Sequence, residues 1–196
     1  MITKLVRRCT TWILEPIARF CIRLGLSPND VTILGLFLIS GVAALLALGH
    51  LRLAGVLMLI GAGADGVDGT MARMLGRSSR FGAFFDSTLD RYSEAITLFG
   101  LFVYFLRMGD NEALILLYVA MVGSVMVSYT RARAEGVGLE CKRGFLTRVE
   151  RVILLMIALI VGQVRIGLWL LAILSQLTAL QRIYVVWKAS KSPETA

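Results

Sequence analysis

The sequence is poor in the side chains on which many soluble enzymes rely. It has one histidine, His50, and three widely separated cysteines, Cys9, Cys21 and Cys141. A lone histidine in a short turn excludes acid–base catalysis built on histidine, and the cysteine spacing matches neither a disulfide framework nor a zinc site. Charged residues make up only 17% of the chain. Any chemistry must therefore rest on a small number of acidic and basic side chains.

Apolar residues dominate instead. Of the 196 residues, 57% are hydrophobic, which is more than the polar surface of a soluble domain of this size could cover. Six apolar runs approach the roughly 20 residues that cross a bilayer as a helix. The predicted spans are Val31–Gly49, Leu53–Leu75, Gly82–Met108, Ala113–Arg131, Val149–Val164 and Ile166–Trp187. The pattern predicts an all-α polytopic membrane protein, a single domain over residues 1–196 with a six-helix bundle at 31–188.

The net charge of +8 could indicate nucleic acid binding, but the positions of the basic residues argue against it. Lysines and arginines concentrate in the N-terminal segment, in two of the helix connections and at the C-terminal end, whereas the opposite side holds only Arg52, Arg107 and Arg165. By the positive-inside rule, both termini and this basic face lie in the cytosol, at the cell membrane. The basic face should attract anionic headgroups and phosphorylated substrates, and no nucleic acid partner is expected.

The first 26 residues are predicted to form a separate element. Apolar residues from Ile2 to Leu24 recur at intervals of three and four, with basic residues on the other face. This pattern predicts an amphipathic helix in the cytosolic interface over 1–26; the alternative, a disordered basic tail, would not need the apolar stripe. The stretch Gly25–Asp30 ends this helix, and Ser27 or Asn29 is the predicted cap of the first span.

Four aspartates in two neighbouring helices are the main candidates for chemistry. Asp65 and Asp68 are three residues apart, and Asp86 and Asp90 are four apart, so each pair lies on one helix face. A helical hairpin would bring all four to one depth, where each charge costs about 2.5–3.5 kcal/mol unless a cation compensates it. Ligands that are all oxygen favour Mg²⁺ or Mn²⁺, together with a phosphate-bearing substrate. The alternative is a proton or cation relay in a transporter.

The spacing around these aspartates resembles the signature of the CDP-alcohol phosphotransferases. Asp65-Gly-Val-Asp68-Gly69-Thr-Met-Ala72-Arg73 is followed by eight residues, Gly82, three residues, Asp86, three residues and Asp90, which matches the signature at every defining position. Further segments resemble the bacterial phosphatidylinositol phosphate synthases within that family: Glu15–Arg19, Gly25–Gly35, Ser128–Glu135, Arg148–Arg151 and Thr178–Arg182. The resemblance makes an ion or metal transporter the weaker alternative.

The resemblance implies a reaction and a set of roles. A phosphatidyl group would pass from CDP-diacylglycerol to an alcohol in one displacement, with CMP as the leaving group. Asp65, Asp68 and Asp86 would hold two Mg²⁺ or Mn²⁺ ions, and Asp90 would be the base for the acceptor hydroxyl, close enough to share a metal ion. The residues implied to contact the CDP-lipid are Asn29, Asp30, Val31, Thr32, Gly69, Ala72, Arg73, Ser79 and Gly82. A homodimer is implied as well.

Basic residues at the predicted cytosolic ends of the last three helices indicate what the acceptor carries. The candidates are Ser128, Arg131, Arg148, Arg151 and Arg182. Converging guanidinium groups suit a dianionic phosphate, so we predict inositol phosphate as the acceptor. Glycerol 3-phosphate is the alternative with the same chemistry, and each arginine could instead be an ordinary snorkelling residue. The sequence departs from the group pattern at Arg131, Thr147 and Val149, where Lys, Glu and Pro are usual.

Overall fold

The computed structural model describes residues 14–76, 79–139, 141 and 144–191, and for residues 62–65 it describes the backbone alone. Within these ranges the chain is helical between its turns and loops and has no strand. The helices are α1 (residues 14–23), α2 (Pro28–Ala47), α3 (Leu51–Met74), α4 (Arg80–Met108), α5 (Asn111–Gly136), α6 (Arg148–Val161) and α7 (Val164–Ala189). The six predicted core helices are therefore confirmed as helices.

Three helices in the described part of the chain are long and apolar enough to cross a membrane, namely α2, α5 and α7. Helix α4 has 29 residues but carries Asp86, Asp90, Arg91 and Glu94 in its first half. Helix α6 has only 14 residues, because Gly162 ends it in the left-handed conformation at φ 82°. A membrane protein is thus confirmed in outline, and the arrangement with six spans stays a prediction.

Residues 14–23 of the N-terminal segment are helical, in keeping with the amphipathic pattern, and a turn begins at Leu24, before the predicted end of the helix at residue 26. Ala18 on α1 is fully buried and packs in one cluster with Val31, Val67 and Met71 of α2 and α3. Phe20 on the same helix is 60% exposed. Residues 1–13, where the predicted interfacial helix would begin, lie outside the described residues. These contacts anchor α1 against α2 and α3, whereas its position in the membrane interface stays a prediction.

Serine caps fix the starts of two helices at the same end of the bundle. Of the two predicted caps for α2, Ser27 is the one used: its hydroxyl accepts from the backbone of Asp30 at 3.3 Å. The Asp30 carboxylate accepts from the Ser27 backbone at 2.8 Å in return, which makes a capping box. Ser79 caps α4 by accepting from the Gly82 backbone at 2.9 Å. Both helix starts are therefore well defined beside the aspartates of α3.

Close contacts between neighbouring helices hold the bundle together. Helix α2 packs against α3 and α4, α5 against α7, and α6 against α3 and α7. A methyl group at Gly100 of α4 would lie 2.4 Å from the Ala43 carbonyl oxygen of α2, and one at Gly123 of α5 would lie 2.8 Å from Cβ of Ser175 on α7. Only glycine permits such approaches. Because α2 contacts both α3 and α4, the ends of these helices that carry the aspartates lie beside the start of α2.

Candidate active site

The starts of α2 and α4 and the end of α3 enclose a cavity of about 510 Å³, a volume typical of small-molecule sites. Asp68 and Asp86 both line it. Seven of the nine residues predicted to contact the CDP-lipid also line it: Asn29, Thr32, Gly69, Ala72, Arg73, Ser79 and Gly82. Residues from three separate sequence segments thus form one continuous wall.

The other two residues predicted to contact the lipid, Asp30 and Val31, have side chains that make structural contacts. Val31 is 6% exposed and lies in the cluster below α1. The Asp30 carboxylate accepts from both the backbone and the hydroxyl of Ser27, at 2.8 and 2.7 Å. Their side chains support the start of α2, and their predicted contacts with the lipid stay a prediction.

Asp68 is held in a fixed orientation. It is 6% exposed, and its Oδ2 accepts from the Thr32 hydroxyl at 2.7 Å. Its Oδ1 accepts from the Gly69 backbone at 2.5 Å. The Thr32 hydroxyl also lies 3.1 Å from the Pro28 carbonyl, but it has a single hydrogen, and the carboxylate is the nearer and more strongly charged acceptor. Thr32 therefore joins the start of α2 to the acidic motif of α3.

The donors at this site fit a hard divalent cation such as Mg²⁺. Asp68 and Asp86 line the same cavity, and the backbone places Asp65 three residues before Asp68 on the same face of α3. The side chain of Asp65 lies outside the described residues. Among the side chains that are described, no three Asp, Glu, His or Cys groups are close enough to hold a metal ion. Asp65 stays a predicted ligand beside Asp68 and Asp86, and the predicted pair of ions stays a prediction.

Asp90 lies in a network of basic side chains. Nη2 of Arg148 is 2.8 Å from its Oδ1, and Nη2 of Arg91 is 3.4 Å from its Oδ2. Arg91 also donates through Nη1 to the Ser128 hydroxyl at 2.5 Å. Two residues from the predicted acceptor group, Ser128 and Arg148, are therefore brought to the predicted base. The connecting residue, Arg91, was not among the predicted site residues.

Arg151 is engaged deeper in the bundle. Its guanidinium is 2% exposed and donates to both carboxylate oxygens of Glu94, at 2.6 and 2.9 Å. It also donates to the Leu146 carbonyl at 3.2 Å. These contacts join the start of α6 to α4 and leave little of the guanidinium for a ligand. Sequence reasoning missed Glu94, although it lies four residues after Asp90 on the same helix face, which was the available signal.

The remaining two predicted acceptor residues lie on α5 and α7. Arg182 is 4% exposed and donates to the Val127 carbonyl, one turn of α5 before Arg131. Gly144, in the connection before α6, lies so close that a methyl group there would be 3.1 Å from the Arg182 guanidinium. Arg131 is half exposed and pairs with Glu135 at 2.8 Å. The two arginines therefore lie near each other, one buried and one exposed.

Residues 26–187 match the family model of the CDP-alcohol phosphatidyltransferases. The chain belongs to this family. The match covers the cavity and every predicted site residue. It also decides between the two classes of protein that the aspartates allowed, because CDP-alcohol phosphatidyltransferases are enzymes and not transporters.

Other members of the CDP-alcohol phosphatidyltransferase family match the chain along most of its length. The archaetidylinositol phosphate synthase of Pyrococcus horikoshii is 42% identical over 173 residues, which cover 87% of this chain and 89% of that protein. The crystal structure of Mycobacterium tuberculosis phosphatidylinositol phosphate synthase with CDP-DAG bound matches with a TM-score of 0.86 at 36% identity, covering 93% of this chain and 96% of that one. The same enzyme in complex with manganese and citrate matches with a TM-score of 0.85 at 36% identity, over 92% and 90% of the two chains.

The hydrogen bond from Thr32 to Asp68 gives a first testable prediction for this phosphatidyltransferase. Thr32→Val keeps the shape of the side chain and removes the hydroxyl, so Asp68 loses its orientation. Loss of such a supporting group typically weakens metal binding about 10- to 100-fold. Titration of the purified protein with Mn²⁺, followed by electron paramagnetic resonance, measures this directly. Thr32→Ser is the matched control and should bind nearly as the wild type does. Equal affinity in the valine variant would mean that Thr32 does not orient Asp68.

Proposed function

We propose that this chain transfers the phosphatidyl group of CDP-diacylglycerol to inositol phosphate, forming phosphatidylinositol phosphate and CMP. The observation that carries the proposal is the cavity of about 510 Å³ lined by the signature residues of α3 and α4. Beside it, Asp90 lies within reach of Arg148 and Arg91. The relatives support the acceptor, since the Mycobacterium tuberculosis enzyme is named a phosphatidylinositol phosphate synthase and binds CDP-DAG.

The cavity is proposed to hold the CDP headgroup. Gly69 and Ala72 place little bulk on the wall formed by α3, so a large ligand can approach the backbone closely. A methyl group at Gly82 would lie 3.0 Å from the Ser79 hydroxyl, so a side chain there would crowd the start of α4. Arg73 is exposed beside the cavity and donates to Thr70 at 3.0 Å, a position from which its positive charge can meet a phosphate.

Asp65, Asp68 and Asp86 are the residues that would hold Mg²⁺ or Mn²⁺, and we propose two ions. When bound, divalent cations neutralise the pyrophosphate charge and make CMP a better leaving group. The protein itself orients Asp68 through Thr32. Asp90 would accept the proton of the acceptor hydroxyl as the oxygen attacks the phosphorus that carries the lipid. The bond from that phosphorus to the CMP oxygen then breaks, and no covalent enzyme intermediate forms.

The acceptor phosphate is proposed to contact Ser128, Arg131, Arg148 and Arg182. Guanidinium groups recognise a phosphate dianion through paired, charge-assisted hydrogen bonds. Arg151 belongs to the predicted group by sequence, but its contacts with Glu94 and Leu146 favour a supporting role. It would fix the start of α6, where Arg148 is the first helical residue.

The proposal includes a placement in the cell membrane. Helices α3, α4 and α6 would cross the bilayer together with α2, α5 and α7, and residues 1–26 would lie in the cytosolic interface. Both termini and the cavity would face the cytosol, because the basic residues concentrate on that side. A homodimer is part of the same proposal and rests on the family resemblance alone.

The release of CMP tests the proposed reaction. The purified enzyme, supplied with CDP-diacylglycerol and Mg²⁺, should release CMP fastest with inositol phosphate. Free inositol lacks the charged group, and the missing charge-assisted contacts should lower kcat/KM about 10- to 100-fold. If free inositol matches its phosphate, the phosphate-binding role of the arginines is wrong. If glycerol 3-phosphate is preferred, the proposed reaction is correct and the proposed acceptor is wrong.

The same assay with a CDP-linked diether lipid in place of CDP-diacylglycerol tests which donor lipid the enzyme uses. This matters because one relative is an archaetidylinositol phosphate synthase.

A further inference from the structure

Residues 144–147, which lead into α6, are held against α7 by two hydrogen bonds to their backbone, and we call this segment the strap. The amide of Phe145 donates to Oε1 of Gln181 at 3.1 Å. The amide of Leu146 donates to Oγ1 of Thr178 at 3.1 Å. Both acceptors belong to the last of the segments that resemble the phosphatidylinositol phosphate synthases, but neither was among the predicted site residues. The structure therefore gives contacts to two residues of that segment which the proposed reaction does not use.

The hydroxyl of Thr178 is oriented to accept from the strap. It donates its hydrogen to the Leu174 carbonyl at 2.7 Å, one turn earlier on α7, which leaves the oxygen lone pairs for the amide of Leu146. Thr178 is fully buried, so water does not readily replace it as the acceptor. A buried amide without an acceptor is costly, and the backbone of the strap is therefore fixed at this point.

The strap is also held from the side of α6. The Leu146 carbonyl accepts from Nη1 of Arg151 at 3.2 Å, and Arg151 is itself paired with Glu94 of α4. The next residue, Thr147, is the N-cap of α6 with an extended backbone, and Arg148 is the first helical residue. The point at which α6 begins, and with it the position of Arg148, therefore depends on the strap.

The other end of the strap lies against Arg182. A methyl group at Gly144 would lie 3.1 Å from both Nε and Nη2 of Arg182, and 3.2 Å from Cγ2 of Thr178. Thr178 precedes Arg182 by one helical turn, and Gln181 is its neighbour. The stretch of α7 that carries Arg182 thus also carries the two side chains that hold the strap. The strap contacts Arg182 at one end and leads into Arg148 at the other.

We propose that Thr178 and Gln181 are positioning residues of the acceptor site, which hold the strap so that Arg148 and Arg182 are correctly spaced for the acceptor phosphate. This inference rests on the proposed function, in which both arginines bind that phosphate. Guanidinium groups bind phosphate through directed hydrogen bonds, and a displacement of about 1 Å can lower a rate about 100-fold.

The CDP-lipid should not depend on the strap. Among the described residues, the cavity proposed for its headgroup is lined by the starts of α2 and α4 and the end of α3. The strap and α7 contribute nothing to that lining. A loosened strap should therefore weaken the use of phosphorylated acceptors and leave the KM for CDP-diacylglycerol unchanged.

Hydrogen–deuterium exchange tests the contact without any substrate. Gln181→Met nearly keeps the length of the side chain and removes its carbonyl oxygen, so the amide of Phe145 loses its acceptor. A peptide with residues 144–148 should then exchange about 2- to 10-fold faster, the effect of one ordinary hydrogen bond. Gln176→Met is the matched control on the same helix, because Gln176 donates to the Val119 carbonyl of α5 at 3.0 Å. It should leave the exchange of that peptide unchanged. Unchanged exchange in Gln181→Met would overturn the inference.

The preference for a phosphorylated acceptor tests the link to function. The quantity measured is kcat/KM for inositol phosphate divided by kcat/KM for free inositol, and a purely structural role would lower both values alike. Gln181→Met should lower this ratio about 2- to 10-fold, through the KM for inositol phosphate. Thr178→Val removes the buried hydroxyl and should lower the ratio at least as much. Thr178→Ser keeps the hydroxyl and should retain the wild-type ratio, as should Gln176→Met.

The kinetic outcomes separate the inference from the proposed function. The inference is overturned if the folded variants Gln181→Met and Thr178→Val keep the wild-type ratio, or if Gln176→Met lowers the ratio equally. If Thr178→Val does not fold, Gln181→Met alone decides, because the Gln181 side chain is only partly buried. If the wild type itself shows no preference for a phosphorylated alcohol, the proposed acceptor site is wrong, and the inference fails with it.

Discussion

Asp90→Asn should lower the turnover of CMP release about 10²- to 10⁴-fold, the usual effect of removing a positioned base. Asparagine has nearly the same shape as aspartate, and its single carbonyl oxygen can still accept from Arg148, whose Nη2 lies 2.8 Å from Oδ1; the longer contact of Arg91 with Oδ2, at 3.4 Å, is lost. It cannot take up the proton of the acceptor hydroxyl. The loss should therefore appear in kcat, whereas CDP-lipid should still bind in the cavity lined by Asp68 and Asp86.

The measurement is single-turnover and steady-state CMP release, with binding of CDP-lipid followed by its effect on thermal unfolding. Glu112→Gln is a suitable control, since Glu112 pairs with Arg165 and Trp169 at the opposite end of the bundle and should not affect turnover. Near-normal turnover in Asp90→Asn would remove Asp90 from the role of base. Loss of CDP-lipid binding in this variant would instead show that Asp90 helps to bind the CDP-lipid before the reaction begins.

Arg151→Met should destabilise the folded protein by about 3–5 kcal/mol, because it leaves the carboxylate of Glu94 buried without its partner. The pair is well shielded, with side-chain exposures of 2% and 12%. Thermal unfolding in detergent, measured without any substrate, follows this loss. The double variant Arg151→Met with Glu94→Leu replaces both charges by apolar side chains and should recover most of the stability.

Arg165→Gln is the control for this second prediction. Arg165 pairs with Asp110 and Glu112, but its side chain is 55% exposed, and pairs of that kind contribute about 0–1 kcal/mol. If Arg151→Met unfolds like Arg165→Gln yet loses affinity for the acceptor, Arg151 belongs to the acceptor site and not to the support of α6.

The sequence predicted the helices well, and also that the helices of Asp68 and Asp86 lie side by side, because both depend on local patterns. Apolar runs defined α2 to α7, and the spacing of Asp68 and Asp86 correctly put them in helices that share a cavity. The end of α6 was predicted three residues too late, at Val164, because the backbone takes a left-handed turn at Gly162 and the helix ends at Val161. A pattern of hydrophobic residues cannot predict that a glycine adopts the left-handed conformation and ends a helix.

The side-chain partners could not be predicted in the same way. Glu94 and Arg151 are 57 residues apart, and Asp90 and Arg148 are 58 apart, so each pair exists only because the fold brings α4 and α6 within reach of each other's long side chains. The sequence indicated five acceptor residues as one group. In the structure their arginines have different partners. Arg148 pairs with Asp90, Arg151 pairs with Glu94, and Arg182 donates to a backbone carbonyl of α5. The contacts between helices depend on close approaches such as that of Gly123 to Ser175, which no single helix pattern contains.

The short length of α6 has a consequence for the lipid around the enzyme. Its 14 residues extend about 21 Å at 1.5 Å per residue, against a hydrocarbon thickness of about 30 Å. If α6 crosses the bilayer as proposed, this hydrophobic mismatch must be met by local thinning of the membrane or by water entering at the helix ends. Arg148, at the first position of α6, would then lie below the mean level of the headgroups. The water-soluble acceptor phosphate would then react with the CDP-lipid where the bilayer is locally thin. At that place the acceptor can stay partly hydrated while the lipid chains stay in the hydrocarbon.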